Sequence, residues 1–198
     1  MALANYSDLQ QAIADFIVRD DLSTYIPNFI ALAESRIASE LDTNDLHVTT
    51  TMTVDEASED LPADFKALIR FGIGSDYRQL DYLPPETFHS TFAAYQASRP
   101  RAYTIEANKI YFAPAPDTAS TATYTYIAKP DIATDTTNRL MTIAPDIYLY
   151  ASLCEAAMFI QDDEALVKYE RSYALSLDRL NAVDQNKGAM SIQLDGVV

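Results

Sequence analysis

The segment from Ala144 to Gln185 constrains the fold more than any other part of the chain. Ala144-Pro145-Asp146 predicts a helix start, because a proline at the first helical position lacks an N–H that would be unpaired there anyway. The helix that follows is apolar on nearly every side, so it must be buried on nearly every side. Gln161-Asp162-Asp163-Glu164 interrupts it, and acidic residues favour the N-terminus of a second helix. We therefore expect a helical hairpin with one buried arm and one half-exposed arm.

The N-terminus predicts another helical hairpin. Ser7 can cap a first helix, and Ser23 or Thr24 starts a second one in which Pro27 still lies in the first turn. The predicted buried stripes are Leu9, Ala12, Ile13, Phe16 and Ile17 in the first helix, and Ile26, Ile30, Ala33, Ile37 and Leu41 in the second. Because each hairpin has a face too apolar to stand alone, we predict that the two pack together as an antiparallel four-helix bundle.

The middle of the chain has the period of β-strands. Residues 46–54 alternate, with Leu46, Val48, Thr50, Met52 and Val54 on the predicted buried face. Further strands are expected at 67–73, 79–83 and 121–128, a small helix from Pro84 to about Tyr95, and a tight hairpin at Ala107-Asn108-Lys109. The predicted fold class is α+β. Residues 1–45 and 140–187 form the helical bundle, 46–139 an inserted antiparallel β-rich lobe, and 188–198 an extended C-terminal tail.

The net charge of −15 is the most unusual total. It argues against binding to the outside of DNA or to an anionic membrane, since both need basic patches. The charge favours either plain solubility or a wall that repels nucleic acid. No apolar run is long enough to span a bilayer and no basic region precedes a hydrophobic stretch, so we expect a soluble, unsecreted protein. The single cysteine, Cys154, is expected to fill space on the buried helix.

The sequence contains no motif of a known catalytic, phosphate or metal site, and we predict neither an enzyme nor a cofactor. His47 and His89 lack a neighbouring His or Cys in ligand spacing, so we interpret both as solvated. Arg99-Pro100-Arg101 is too small for a nucleic-acid footprint, and it can pair with acids of a neighbouring subunit. Tyrosine suits partly solvated contact surfaces, because its ring is apolar and its hydroxyl is polar. Our candidates for contacts between subunits are therefore Arg99, Arg101, Tyr124 and Tyr126.

Three segments resemble the head-to-tail adaptor (connector) proteins of short-tailed bacteriophages. They are 61–65 (LPADF), 103–117 (YTIEANKIYFAPAPD) and 144–151 (APDIYLYA), and the resemblance covers about residues 9–182 in order and spacing. One departure is Ala107, where the family pattern has glycine ahead of the asparagine.

The resemblance implies a virion structural protein that forms a ring, expected to hold twelve copies, in the neck beneath the portal protein. A tail or nozzle protein would attach below, and viral DNA would pass through the ring during genome ejection without specific binding. The protein would be made in the host cytoplasm. The excess of acidic residues would then give the ring a channel wall that repels DNA. The apolar residues of the tail would bind the portal; they are Ile192, Leu194, Val197 and Val198.

Two other functions compete with this interpretation. A tail completion or tail terminator protein also forms rings from small α+β subunits, and it would bind tails but not isolated portal. A small enzyme or carbohydrate-binding module would use the tyrosine-rich sheet with acids around Asp55 and Asp117. The latter predicts a concave pocket with convergent carboxylates.

Overall fold

The computed structural model describes residues 3–193 apart from 42, 94, 136 and 137, and at residues 20 and 185–193 it describes the backbone alone. The described residues divide into two units. Unit 1 comprises those of Met1–Leu46 and Lys129–Val198, and unit 2 comprises those of His47–Ala128. No helix in the described part of the chain is both long enough and apolar enough to cross a bilayer.

In chain order the elements are α1 (Tyr6–Ile17), α2 (Ile26–Glu40), β1 (His47–Val54), β2 (Ser58–Asp60), β3 (Phe65–Ile73), β4 (Arg78–Gln79), β5 (Asp81–Tyr82), α3 (Pro85–Phe92), β6 (Ala102–Glu106), β7 (Lys109–Ala113), β8 (Ser120–Ala128), α4 (Arg139–Ile143), α5 (Pro145–Ile160) and α6 (Asp163–Gln193). Short 3-10 helices occupy Asp20–Tyr25 and Asn44–Leu46.

Helix α5 is the centre of unit 1. Its side chains from Ile147 to Ala157 are buried except for Tyr150 and Glu155, which are half-buried. This burial follows from a sequence that is apolar around the whole circumference. Helices α1, α2 and α6 all pack against α5, whereas α1 and α2 make little contact with each other.

The predicted four-helix bundle with an inserted β-rich lobe is wrong. The described residues form an α+β fold with six α-helices and two four-stranded sheets. An amphipathic stripe shows that one side of a helix is buried, but it does not show which helix covers it. Here the stripes of α1, α2 and α6 are covered chiefly by α5, so the two hairpins do not form four mutually packed helices.

Unit 2 contains both sheets. The first has the order β1-β8-β3-β4 and is antiparallel throughout, and the second has the order β2-β7-β6-β5 with a parallel pair, β5 and β6. The predicted strand at 79–83 is divided at the buried Leu80, so that β4 joins the first sheet and β5 joins the second. A shared core of apolar side chains from the two sheets includes Phe71, Phe112 and Tyr124.

The alternation predicted for the first strand is found in part. Val54 is buried and Met52 and Thr50 are half-buried on one side of β1, but Val48 is 38% exposed. The tight hairpin is present between β6 and β7. Ala107 and Asn108 both have positive φ, 45° and 66°, which is the left-handed conformation that a two-residue hairpin turn requires.

The two predicted domain boundaries can be compared with the backbone. The loop after β8 belongs to unit 1, where Ile132 is fully buried and donates its backbone N–H to the carboxylate of Glu34. Helix α6 continues through Gly188 to Gln193. Residues 188–193 are therefore helical, where an extended tail was predicted, and 194–198 lie outside the described residues.

Candidate assembly surfaces

The described residues contain no group of three or more His, Cys, Asp or Glu side chains placed to hold a metal ion. His89 lies on α3 and its ring nitrogen is 2.7 Å from a carboxylate oxygen of Glu106, while His47 is half-buried at the start of β1. Cys154 is fully buried on α5. Its burial, and then the negative charge of Glu170, raise the pKa of the Cys154 thiol to about 12. A thiol with so high a pKa is a poor nucleophile at neutral pH.

A cavity of about 250 Å³ lies in unit 1 between α5, α6 and the 3-10 helix at 44–46. Its polar lining groups are engaged with protein atoms. Asp146 accepts a hydrogen bond of 2.6 Å from the Ser176 hydroxyl, and Asp45 accepts one of 3.0 Å from Arg139. The remaining lining is largely apolar, with Ile143, Leu180 and Val183. This cavity does not contain Asp55 or Asp117, the acids around which an enzyme or sugar site was considered.

The structure separates the four predicted subunit-contact residues. Tyr124 and Tyr126 are 3% and 4% exposed and belong to the core of unit 2, where the Tyr126 hydroxyl donates to Asp64 at 3.0 Å. They have almost no surface to offer to a neighbour. Arg99 is exposed and forms an ion pair of 3.0 Å with Asp76. Arg101 is exposed beside β6, and its backbone oxygen accepts a hydrogen bond from Asp81 on β5.

The predicted portal-binding residues fall at the limit of the described chain. The backbone of Ile192 is in α6. Leu194, Val197 and Val198 lie outside the described residues.

Sequence reasoning missed an exposed aromatic patch in unit 1, which we call the Tyr25–Phe159 patch. The centres of the two rings lie 5.2 Å apart, and the side chains are 43% and 53% exposed. The Phe159 ring also contacts that of the buried Phe29 at 5.4 Å, with the two planes tilted by 57°. Met158, which precedes Phe159 on the helix predicted to be buried on nearly every side, is 47% exposed. The apolar pattern of α5 continues to its last turn although the packing around it does not, so the sequence could not reveal this surface.

A second aromatic surface lies on α3 and β7 in unit 2. His89 stacks edge-on against Tyr111 at 6.2 Å, and Phe92 contacts Tyr95 at 5.0 Å. Tyr95 is 60% exposed, which is high for a side chain of its size. Exposed tyrosine is typical of protein–protein interfaces. Its ring can bury apolar surface against a partner while its hydroxyl still forms hydrogen bonds with water at the edge of the interface.

The two units differ in charge. Unit 1 contains 19 of the 29 acidic residues but 8 of the 14 basic ones, a net charge of −11, which leaves −4 for unit 2. Asp162, Asp163 and Glu164, at the start of α6, are all exposed. The Asp162 carboxylate caps the helix by accepting the backbone N–H of Ala165 at 2.9 Å.

A family model, described as SU10 adaptor protein, matches residues 4–193, nearly the whole chain. The chain belongs to the SU10 adaptor protein family. No curated protein matches this chain. The family is one of phage head–tail adaptors, so the resemblance identified from the three sequence segments is confirmed.

Membership of the SU10 adaptor family gives the protein a structural role in the connection between the phage head and tail, in the neck of the virion. It implies association with portal and tail proteins and oligomerisation. The exposed Tyr25–Phe159 patch and the aromatic surface on α3 are surfaces of the kind that such an assembly covers.

Proposed function

We propose that this adaptor forms a closed ring, with twelve copies expected, that joins the portal to the tail or nozzle of a short-tailed phage and lines the channel for viral DNA. The match of the SU10 adaptor model to residues 4–193 is the observation that carries the proposal. The exposed aromatic side chains of both units support it, because each would be covered by neighbouring subunits or by partner proteins.

In this ring the C-terminal segment binds the portal through Ile192, Leu194, Val197 and Val198. A truncation after Gln193 removes three of these four residues and leaves the described part of α6 complete. We expect the truncated protein to melt at the wild-type temperature and to lose portal affinity. Unchanged portal affinity would eliminate the segment as the portal contact.

Unit 1, with a net charge of −11, contributes the wall of the DNA channel. An acidic wall repels the phosphate backbone and so prevents the ring from holding its cargo. The exposed pair Asp163 and Glu164 can be neutralised as Asp163→Asn with Glu164→Gln, which leaves the capping Asp162 in place. Genome ejection should be slower in phage carrying this double variant, and wild-type ejection kinetics would refute the role of these acids.

Between subunits, Arg101 and the aromatic surface on α3 contact the acidic neighbour. Arg101 is the better candidate of the basic cluster, since Arg99 already pairs with Asp76 in its own chain. Arg101→Glu should weaken ring closure. A matched control is Lys109→Glu, the same change of charge at an exposed site of unit 2 that pairs with Asp60. Equal effects of the two substitutions would show that net charge, not an Arg101 contact, controls assembly.

The deciding experiment is the native mass of the purified protein, alone and mixed with the portal protein of its own phage. A ring in isolation, or a monomer that becomes a ring on the portal, supports the proposal and gives the copy number. A protein that ignores the portal but binds tails would be a tail completion protein instead.

A further inference from the structure

The first sheet has two open edges, one on each side. On one side β1 is the last strand in the sheet order. On the other side the short β4 covers only Gly72 and Ile73 of β3. Among the described residues, the backbones of 48–54 on β1 and of 67–71 on β3 form hydrogen bonds only with β8. Each edge therefore presents a row of outward N–H and C=O groups, about 24 Å long on β1 and about 17 Å long on β3 at roughly 3.4 Å per residue.

Both edges contain apolar side chains that are incompletely buried. Val48 on β1 is 38% exposed and Ile69 on β3 is 45% exposed, and these are the two large apolar side chains that the described residues of the first sheet expose. Met52 and Leu68 are half-buried, and each packs from its own edge against the apolar core of unit 2. The sheet thus ends on both sides in apolar surface that a further strand would cover.

The strand directions fit a head-to-tail contact between copies of this chain. β1 and β3 both run antiparallel to β8, so they run parallel to each other on opposite sides of one sheet. If β1 of one copy lies beside β3 of the next, every copy uses both edges once and the contact repeats. Contacts of this heterologous kind close rings, whereas pairing of β1 with β1 is two-fold and closes at two copies. The two edges therefore match the oligomerisation that the family implies.

The two edges also differ in charge. β1 has the sequence HVTTTMTV, without a formally charged side chain, and leads into the exposed acids Asp55 and Glu56. The β3 edge has the exposed Arg70, which donates to the Thr125 hydroxyl at 3.3 Å and forms no ion pair within the described residues. Two β3 edges would oppose like charges, which destabilises a strand pair. A parallel β1 instead brings its two following acids to the Arg70 end of β3, so the charges favour β1 as the partner.

The β3 edge is bent by two bulges. Its register against β8 shifts between Phe65 and Ala67 and again between Leu68 and Arg70. Bulges increase the local twist and bend the strand, and they introduce the curvature that a closed sheet needs. They also limit regular pairing on an edge. A strand beside β3 is therefore held over a few residues only and needs the support of side-chain contacts.

We propose that β1 of one copy pairs in parallel with residues 67–71 of β3 in the next copy, so that the first sheet continues from subunit to subunit. This inference rests on the proposed function, in which the adaptor forms a ring. Main-chain hydrogen bonds supply affinity, as in other cases of strand addition. On the side that faces the core, the contact covers Met52 of one copy and Leu68 of the other. At its end, Arg70 meets the acids that follow β1.

Amide hydrogen exchange tests the proposal on the full-length adaptor, as separate subunits and as the assembled ring, with the portal protein present if the ring forms only there. The outward-facing amides of 48–54 and of 67–71 should both slow by roughly tenfold or more in the ring, as buried strand amides do. A ring in which either edge stays unprotected would overturn this inference and leave the proposed function standing. Failure to form a ring, alone or on the portal, would overturn both.

The same measurement separates the other occupants. Protection of β1 that appears only when the tail protein is added to the ring would assign the edge to the tail protein. Protection of β1 without protection of 67–71, together with a dimeric mass, would assign it to two-fold pairing with a second β1. Either result would overturn the proposal.

Two lysine substitutions provide an independent measurement. Thr50 and Leu68 are half-buried on the core-facing side of β1 and of β3, so Thr50→Lys and Leu68→Lys each introduce the inward-pointing edge lysine that natural sheets use to prevent pairing. We expect each variant to lower the fraction of protein in rings by roughly tenfold or more, because the contact would bury an unpaired ammonium. Thr118→Lys makes the same change in the exposed loop before β8 and should assemble like the wild type.

A mixture of the two edge variants identifies which edges meet. Thr50→Lys keeps an intact β3 edge and Leu68→Lys keeps an intact β1, so an equal mixture should give pairs with one copy of each and no ring. Pairs formed by Leu68→Lys alone would show that β1 pairs with β1 and would overturn the proposal. Rings formed by either variant at an unchanged melting temperature would contradict it as well. If Leu68→Lys melts at a lower temperature, hydrogen exchange on the wild type decides.

Discussion

Arg36 on α2 joins three residues of unit 1 in one polar network. Its guanidinium donates two parallel hydrogen bonds of 2.8 Å to the carboxylate of Glu170 on α6, and a third of 3.1 Å to Glu40. It also lies 4.6 Å from the centre of the Tyr173 ring. The Tyr173 hydroxyl donates to the second oxygen of Glu40 at 2.8 Å. The network connects α2 directly to α6, in addition to the packing of both helices against α5.

The stabilisation by this network can be worked from its parts. A forked, charge-assisted pair contributes about 1.5–3 kcal/mol. The contact with Glu40, four residues along the same helix, adds about 0.3–0.5 kcal/mol, and the ring contact about 0.5–1 kcal/mol. The side chain of Glu170 is 41% exposed, so its carboxylate is hydrated again when Arg36 is removed. This favours the lower end of the summed stabilisation energies. We expect Arg36→Met to cost ~2 kcal/mol, or a fall in melting temperature of ~4–8 °C for a chain of this length.

Thermal melting followed by far-ultraviolet circular dichroism measures the effect. Arg36→Lys should lose most of the same stability, because a lysine keeps the charge but cannot form the fork. The control is Arg19→Met, which breaks an ion pair with Asp21 whose side chains are 51% and 63% exposed. We expect its melting temperature to stay close to that of the wild type, because exposed ion pairs contribute little to stability. Equal losses in Arg36→Met and Arg19→Met would refute the argument, as would Arg36→Lys melting like the wild type.

Three smaller predictions concern single residues. Burial raises the pKa of Glu34 to about 7, above the 4.5 of an ordinary glutamate. Its contribution to stability is therefore full below pH 4.5 and lost as the pH rises through 7. The wild type should lose more melting temperature between pH 5 and pH 8 than Glu34→Gln, which still accepts the Ile132 N–H, and parallel losses would contradict this. Because Cys154 is fully buried, its thiol should react with a disulfide reagent at pH 8 only as fast as unit 1 opens; labelling at the rate of a free thiol would disprove its burial. Ala107→Gly should raise stability by ~0.5–1 kcal/mol, since alanine at a φ of 45° is strained and glycine is not; a lower melting temperature would count against that strain.

The helices were the most predictable part of the fold. The circumference of α5 is apolar, and the burial of its side chains from Ile147 to Ala157 follows from that pattern. The same pattern continues into the last turn, where Met158 and Phe159 are exposed instead. Helix α6 is the predicted half-exposed arm of the C-terminal hairpin, and Tyr173 and Leu180 are among its buried residues. What the sequence could not provide was the partner of each stripe, because periodicity reports the exposure of a helix and not its neighbours. The predicted bundle failed at this step.

The strands show a similar division. Alternation located β1 and β8, but the order in which strands pair depends on contacts between residues far apart in the chain. That order makes β1 an edge and places Tyr124 and Tyr126 in the middle of the first sheet, inside the core. A tyrosine-rich strand has the same pattern whether it is central or exposed, and the sequence therefore suggested a subunit contact where the structure has a core.

Ionic strength separates the two forces proposed to act between subunits. Unit 1 keeps a net charge of −11, so neighbouring copies repel each other, and salt screens that repulsion, with a Debye length of about 10 Å at 0.1 M. Contacts through exposed aromatic side chains such as Tyr95 are insensitive to salt or strengthened by it. Contacts through Arg101 and an acid of the neighbour are weakened by it. If aromatic contacts dominate, the fraction of protein in rings should rise between 0.05 and 0.5 M sodium chloride, in the wild type and in Arg101→Glu alike. If the fraction falls in the wild type and is flat in Arg101→Glu, the ion pair is the contact that closes the ring, and the aromatic surfaces are left for the portal and tail proteins.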